Sequence, residues 1–521
     1  MTAPPAVAAR KPAADMSKVL QTTWGKLVIP SLSDFFFLAV TLWMFASGQG
    51  WNQLLMDGDT GWHIRTGEYI LDHHAVPLTD LFSFSKAGAP WFAWEWLADV
   101  IYGALFRSLG LKGVVLLSGL MISTIATIIL RHMLWRKANL FLSLAITLFC
   151  AAAASIHYHA RPHLFTLLLL VITLWMLDRD RQNPSWHVWL LIPLTALWTN
   201  LHGGFLLMIA ITGLLAVGTM VETLWFERRQ WSSALRYPVL LAGCSLATLV
   251  NPYGTGLHRH VIDYLGSNWI KDMVEEFHSP NFRSESMLYF EILLFLGLAV
   301  AVCFVRRRKI VEPLWLLYFA HTALTSVRHV TIFVFLAGPI IAVELSGWWL
   351  EWSKGRSPKS LPGILNQLAA EMGVGFRWAS VWPAVLAAGL ICIDRPIVWP
   401  TDFSGDRFPA KIVNANREQI ASARVLTSDQ WGDYLIFQLY PAVKVFMDGR
   451  SDFYGEELGK EYLAMLQGRY DWNSLLSKYR FSMVLAPVSW PLCSLLKQTK
   501  EWKVITDDGN AILFLRKTDP N

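Results

Sequence analysis

GVVLLSGLMISTIATIILRHML, residues 113–134, contains no charged side chain before Arg131. A helix needs roughly 17–25 apolar residues to span about 30 Å of hydrocarbon, and this run meets that length. Comparable runs lie at 35–55, 140–155, 164–177, 186–199, 205–225, 235–250, 288–305, 314–325, 330–350 and 380–393. The pattern predicts a polytopic α-helical membrane protein with about eleven transmembrane helices. Composition agrees. Of 521 residues 54% are hydrophobic and only 16% charged, whereas soluble domains carry about 25% charged residues.

Basic residues in the short loops set the orientation, because positive segments resist translocation. Threading the spans from a cytoplasmic N-terminus puts Arg10, Lys11, Lys18 and Lys26, then Arg131, Arg136 and Lys137, then Arg179 and Arg181 on the inner side. Arg228, Arg229, Arg236, Arg306, Lys309, Lys354, Arg356, Lys359 and Arg377 join them. The formal charge of +6 is therefore a topology signal and gives no reason to expect nucleic acid as a partner. Residues 1–34 read as a cytoplasmic tail, rich in Ala, Pro and Lys and without a cleavable signal. Residues 35–400 form the transmembrane domain, with a large first outer loop at 56–112. An odd number of spans places residues 401–521 outside. β-like runs at 424–427, 443–447, 482–486, 503–506 and 511–515 alternate there with helical stretches at 430–439, 455–466 and 472–478, as in a small soluble α/β domain. Five scattered cysteines suggest neither a disulfide framework nor a zinc site.

With this threading, most of the remaining polar clusters fall on the outer face. The first loop opens with Asp57-Gly58-Asp59-Thr60-Gly61-Trp62-His63 and continues to Trp94-Glu95-Trp96. Two carboxylates around one glycine at a span end can face a common cleft, where they would deprotonate an acceptor hydroxyl or hold a divalent cation such as Mg²⁺ or Mn²⁺. Either Asp57 or Asp59 could equally cap the helix that follows. Trp62, with Trp91, Trp94 and Trp96, suits an interfacial aromatic belt or a stacking surface for sugar or lipid. Arg161 beside Pro162, His202 in Asn200-Leu201-His202-Gly203, Arg259, and Arg328 at a span end supply cationic and imidazole groups fit for an anionic phosphate near the headgroups.

Together these features resemble the GT-C superfamily of membrane glycosyltransferases, most closely bacterial proteins of the aminoarabinose transferase and protein O-mannosyltransferase type. The resemblance rests on the acidic first-loop motif, Arg161-Pro162, Asn251-Pro252-Tyr253-Gly254 and Asp448-Gly449-Arg450. It implies transfer of a sugar from a polyprenyl-phosphate donor to an acceptor at the outer face of a bacterial inner membrane, with inversion. It also implies a first-loop Asp as general base, Asp57 before Asp59, with Glu95 among the catalytic candidates. Trp62, His63, Arg161, His202, Arg259 and Arg328 would bind substrate. Asp448 and Arg450, just past the run 443–447, would lie where open α/β sheets bind ligands and could hold the acceptor, or form a turn and ion pair that dock the domain. The acceptor class, protein, lipid or glycan, stays open. A transporter or flippase of lipid-linked precursors, or a non-catalytic assembly scaffold, is the alternative. The few ionisable residues within the apolar runs favour the transferase.

Overall fold

The computed structural model describes residues 22–46, 50–226, 231–376, 378–393 and 397–517. Arg10, Lys11, Lys18, Arg228, Arg229 and Arg377 lie outside the described residues, as does most of the segment read as a tail. Helices Thr23–Val28 and Leu32–Ala46 begin within the rest of that segment.

Six described helices are long and apolar enough to cross a membrane: Trp24–Phe45, Leu111–Trp135, Leu140–His157, Gly203–Phe226, Glu285–Arg306 and Val327–Ser353. Shorter or more polar helices, His163–Gln182, Leu191–Leu201, Trp231–Ala247, Val311–Thr325 and Trp382–Cys392, occupy the other expected runs. The chain is an integral membrane protein. Within the first run the described helices are Leu32–Ala46 and Gly50–Leu54, and residues 47–49 lie outside the described residues.

Leu111–Trp135 and Val327–Ser353 are 72% and 78% buried across their apolar windows and form the centre of the bundle. The outer helices turn Trp43, Leu148, Trp225, Phe295 and Val302 outward, as a lipid-facing surface requires. At one end of the bundle the basic residues that set the topology are ion-paired, Arg136 with Asp178 at 2.5 Å, Arg181 with Glu312 at 2.8 Å and Arg236 with Asp180 at 2.9 Å. The first loop and the C-terminal domain cover the other end.

Two first-loop helices, Asp59–His73 and Trp96–Leu109, cross backbone to backbone. A Cβ at Gly67 would collide with the Asp99 carbonyl, and one at Gly103 would stand 2.6 Å from the Glu68 nitrogen. Only glycine permits this approach. The C-terminal domain has a four-stranded sheet, β1 Val425–Leu426, β2 Met483–Pro487, β3 Trp502–Asp507 and β4 Ala511–Arg516, in the order β1-β2-β4-β3. β1 and β2 run parallel, and the other pairings are antiparallel. The run 443–447, expected as a strand of this sheet, is not one. Val445 instead bridges Ser83 of the first loop, its N–H donating to Phe82 and its carbonyl accepting from Phe84, both at 2.9 Å. Its extended backbone is used to join the two parts of the molecule.

Candidate active site

The acidic motif of the first loop sits under the helix Asp429–Leu439. A Cβ at Gly58 would lie 2.5 Å from the Gln430 carbonyl, and one at Gly61 would lie 2.8 Å from both the Asp433 carbonyl and the Phe437 Cβ. The glycines of Asp57-Gly58-Asp59-Thr60-Gly61 are thus the contact surface for the C-terminal domain. The capping alternative is met in part. Gly58 stands at the N-cap of Asp59–His73 without a side-chain cap, while Asp57 Oδ1 accepts the Asp59 N–H at 3.0 Å. The other Asp57 oxygen is left for the site.

That oxygen meets Arg161. The guanidinium holds three carboxylates, Asp57 Oδ2 at 2.8 Å, Glu276 Oε1 at 2.9 Å and Asp59 Oδ2 at 3.0 Å. Burial alone would push the Asp57 carboxyl up, but Arg161, His159 and the Asp59 N–H outweigh it and hold Asp57 below the usual carboxylate range. Burial and the neighbouring Asp57 charge push Asp59 up to about 7. Glu276, despite its burial, is held low by Arg161 and Arg328. Environment has therefore separated two carboxylates two residues apart into a firm anion and a group that titrates near neutrality.

Behind this triad lies a buried polar chain. Glu95 stands between two imidazoles, with His63 Nε2 at 3.5 Å and His202 Nε2 at 3.2 Å. His63 Nδ1 lies 2.6 Å from Asp99 Oδ1. His202 Nδ1 accepts the Gly204 N–H at 2.9 Å and pairs with the Thr166 hydroxyl at 2.9 Å. A backbone N–H can only donate, so the neutral His202 ring carries its proton on Nε2, 3.2 Å from Glu95 Oε1. Burial raises Glu95 to about 8 and Asp99 well above its ordinary value, and lowers His63 well below its own. For His202 burial, then Arg328 and Arg161, lower it to about 3. At neutral pH the chain is largely uncharged, as a buried network without counter-charge must be.

The structure brings Asp57, Asp59, His63, Glu95, Arg161 and His202 together, with Arg328 near enough for its charge to act on Glu95, His202 and Glu276. Arg161, expected at a phosphate, is instead engaged by carboxylates. Arg328 is the half-buried cation: its guanidinium lies 4.6 Å over the Phe277 ring, and among the described residues it forms no ion pair with a carboxylate. Arg259 is exposed on helix Thr255–Gly266. Trp62 is buried between His63, at 3.6 Å between ring centroids, and Trp91, at 6.1 Å, so it forms wall rather than an open stacking face. Asp448 and Arg450 do not face a ligand site. Arg450 Nη2 donates to Asp80 Oδ1 and Asp448 Oδ2, both at 2.7 Å, and all three side chains are at most 1% exposed. Their place after the run 443–447 pointed to a ligand site only while that run was counted as a sheet strand. Instead they fasten the domain to the first loop.

Asp57 and Asp59 do not fit a metal ion as arranged. One oxygen of each is turned on the Arg161 guanidinium, Asp57 Oδ1 is taken by the Asp59 N–H, and among the described residues no group of three or more His, Cys, Asp or Glu is placed to hold a cation. Asp99, Glu276 and Asp433 belong to the site but were not singled out in the sequence. Asp99 follows Glu95 by four residues on one helical face, a spacing that could have found it. Glu276, on the short helix Glu275–Phe277, and Asp433, on the helix Asp429–Leu439, arrive from far along the chain and carry no comparable local signal.

No protein-family model matches the chain, and no curated protein is similar to it in sequence. Its fold is similar to that of an Archaeoglobus fulgidus oligosaccharyltransferase tethered with an acceptor peptide, at TM-score 0.54 and 11% identity over 87% of this chain and 69% of that one. It is also similar to AglB of the same organism in complex with an inhibitory peptide and a dolichol-phosphate, at TM-score 0.56 and 10% identity over 92% and 73%. ArnT from Cupriavidus metallidurans aligns over 92% of this chain and 96% of that one, at 15% identity and TM-score 0.45. The likeness to the two oligosaccharyltransferase structures is one of fold, a mostly helical membrane architecture as expected from the sequence.

Proposed function

We propose that this protein is a membrane glycosyltransferase that moves a sugar from a polyprenyl-phosphate donor to an acceptor hydroxyl, with inversion at the anomeric carbon. The observation that carries the reading is an ionised Asp57, fixed by Arg161, together with Arg328, a cation that acts on Glu276 but forms no ion pair among the described residues. Asp57 takes the proton from the acceptor hydroxyl as its oxygen attacks the anomeric carbon. The bond from that carbon to the phosphate oxygen breaks, and both of its electrons leave with the lipid phosphate. Arg328 meets the charge that develops there.

The fold shared with AglB, which has been seen with a dolichol-phosphate and a peptide, supports a lipid-phosphate donor and a separate acceptor. Loop charge supports a cytoplasmic N-terminus and a site on the outer side of a bacterial inner membrane. Arg161 supplies beside Asp57 the positive charge that a divalent cation would bring, so the proposed chemistry asks for no metal. The test is whether purified protein in nanodiscs consumes any member of a panel of labelled polyprenyl-phosphate sugars. Consumption of one donor, undiminished by chelator, is the expected result. Intact donors throughout, with transbilayer movement of a lipid-linked precursor, would replace the transferase by the transporter reading.

A further inference from the structure

Asp59 Oδ1 and Asp433 Oδ2 are both buried without a hydrogen-bond partner among the described residues. Both oxygens border one spot, the space over the Gly449 Cα. A Cβ there would strike Asp59 Oδ1 first and meet Asp433 Oδ2 at 2.9 Å. The companion oxygens are committed elsewhere, Asp433 Oδ1 to the Gly449 N–H at 2.9 Å and Asp59 Oδ2 to Arg161 at 3.0 Å. Asp57, Arg161 and Glu276 face Asp59, and Asp429 and Asp448 face Asp433. Arg161 is the one cation in this set, and Asp57 and Glu276 already share it.

Two buried carboxylates whose free oxygens border one space over a glycine, with no donor between them, cannot readily both ionise. A proton held between them would satisfy both oxygens at once. We propose that Asp433 shares one proton with Asp59 across the domain boundary, so that the C-terminal domain completes the catalytic centre and leaves the charge of Arg161 to Asp57 and Glu276. Asp433 acts through Asp59 and is a positioning residue. Burial and the neighbouring acids raise both carboxyls, which favours a proton on the pair. The pairing also gives Gln430-Trp431-Gly432-Asp433 and Asp448-Gly449-Arg450 a common purpose: Gly449 leaves room for the two oxygens, and a Cβ at Gly432 would lie against the Met447 carbonyl. That the centre is catalytic rests on the transferase reading, whereas the carboxyl pair does not.

The test therefore measures proton binding without substrate. Asp433→Asn, Asp59→Asn and the double variant are melted in nanodiscs between pH 5 and 9. A carboxyl raised in the folded state makes stability fall as pH climbs through that raised value. The wild type is expected to lose melting temperature across this range. Each single variant should remove the same share of that loss, and the double variant no more than either one. Additive effects, or an unchanged pH dependence in both single variants, overturn the pair whatever the activity. Where a donor is turned over, Asp433→Asn should move the alkaline limb of the rate profile down by at least one pH unit, because an amide donating to Asp59 favours its anion. A uniform loss of rate without that shift would make Asp433 merely structural. Absence of turnover in the wild type rejects the transferase reading and leaves the melting cycle to decide for or against the pair.

Discussion

Replacing Arg450 by Met should undock the C-terminal domain. The guanidinium is the counter-charge for Asp80 in the first loop and Asp448 in the domain, each at 2.7 Å, and neither carboxylate side chain is exposed. It also lies 4.6 Å from the centre of the Trp91 ring and 4.9 Å from that of Phe453, contacts that the apolar Met stem retains in part. Removing one partner of a buried ion pair costs about 3–5 kcal/mol, because the remaining charge is left without compensation. Here two anions are left, and the docking equilibrium should weaken by roughly two to three and a half powers of ten. Limited proteolysis and hydrogen exchange at 82–84 and 443–447 would report this as lost protection of the Val445 bridge, with the transmembrane helices unaffected. The triple variant Arg450→Met with Asp80→Asn and Asp448→Asn should regain most of the protection, since neutral partners need no counter-charge. Docking within about 1 kcal/mol of wild type in Arg450→Met alone would overturn this role for Arg450, because that is the range of an exposed ion pair.

Glu95→Gln should be tolerated near neutrality, since the folded carboxyl, raised to about 8, already holds its proton there. A raised carboxyl contributes stability that is lost as pH rises from its ordinary value through about 8, at most about 1.4 kcal/mol per pH unit. Melting at pH 6 and 9 should therefore fall more in wild type than in the variant, and equal falls would count against a protonated Glu95. Gly61→Ala pushes a methyl against the Asp433 carbonyl and the Phe437 Cβ, both 2.8 Å away, and should destabilise domain docking by about 1–3 kcal/mol; unchanged melting would show that the helix can yield. Arg328→Gln should leave melting unchanged yet weaken binding of the lipid-phosphate donor by about ten- to a hundredfold, the worth of a charge-assisted hydrogen bond. Normal donor binding would transfer the phosphate to another cation.

The transmembrane architecture is legible in the sequence because hydrocarbon thickness imposes length and composition on each crossing whatever its neighbours. Loop charge likewise separates the two ends of the bundle, and Asp57, Asp59, His63, Glu95, Arg161 and His202 do meet at one of them. Their bonds are not legible. Arg161 reaches Asp57 across 104 positions and Glu276 across 115, and nothing local to any of the three announces it. A cation beside a helix-starting proline reads the same whether it awaits a phosphate or already holds carboxylates. The run 443–447 is extended, as its composition implies, but it pairs with the first loop and not with the sheet, since β-like composition reports a backbone preference and not a partner. Asp448 and Arg450 belong to the domain fastening and not to a ligand site for the same reason.

The proposed chemistry turns on Asp57 taking the acceptor proton. Single-turnover transfer from the labelled donor, with donor binding measured on the same nanodiscs, compares wild type with Asp57→Asn. Donor binding near the wild-type level with transfer reduced by at least a thousandfold is the expected result, since the amide keeps the shape of the side chain and cannot take a proton. Transfer at the wild-type rate in Asp57→Asn would contradict the assignment and with it the proposed chemistry of the site.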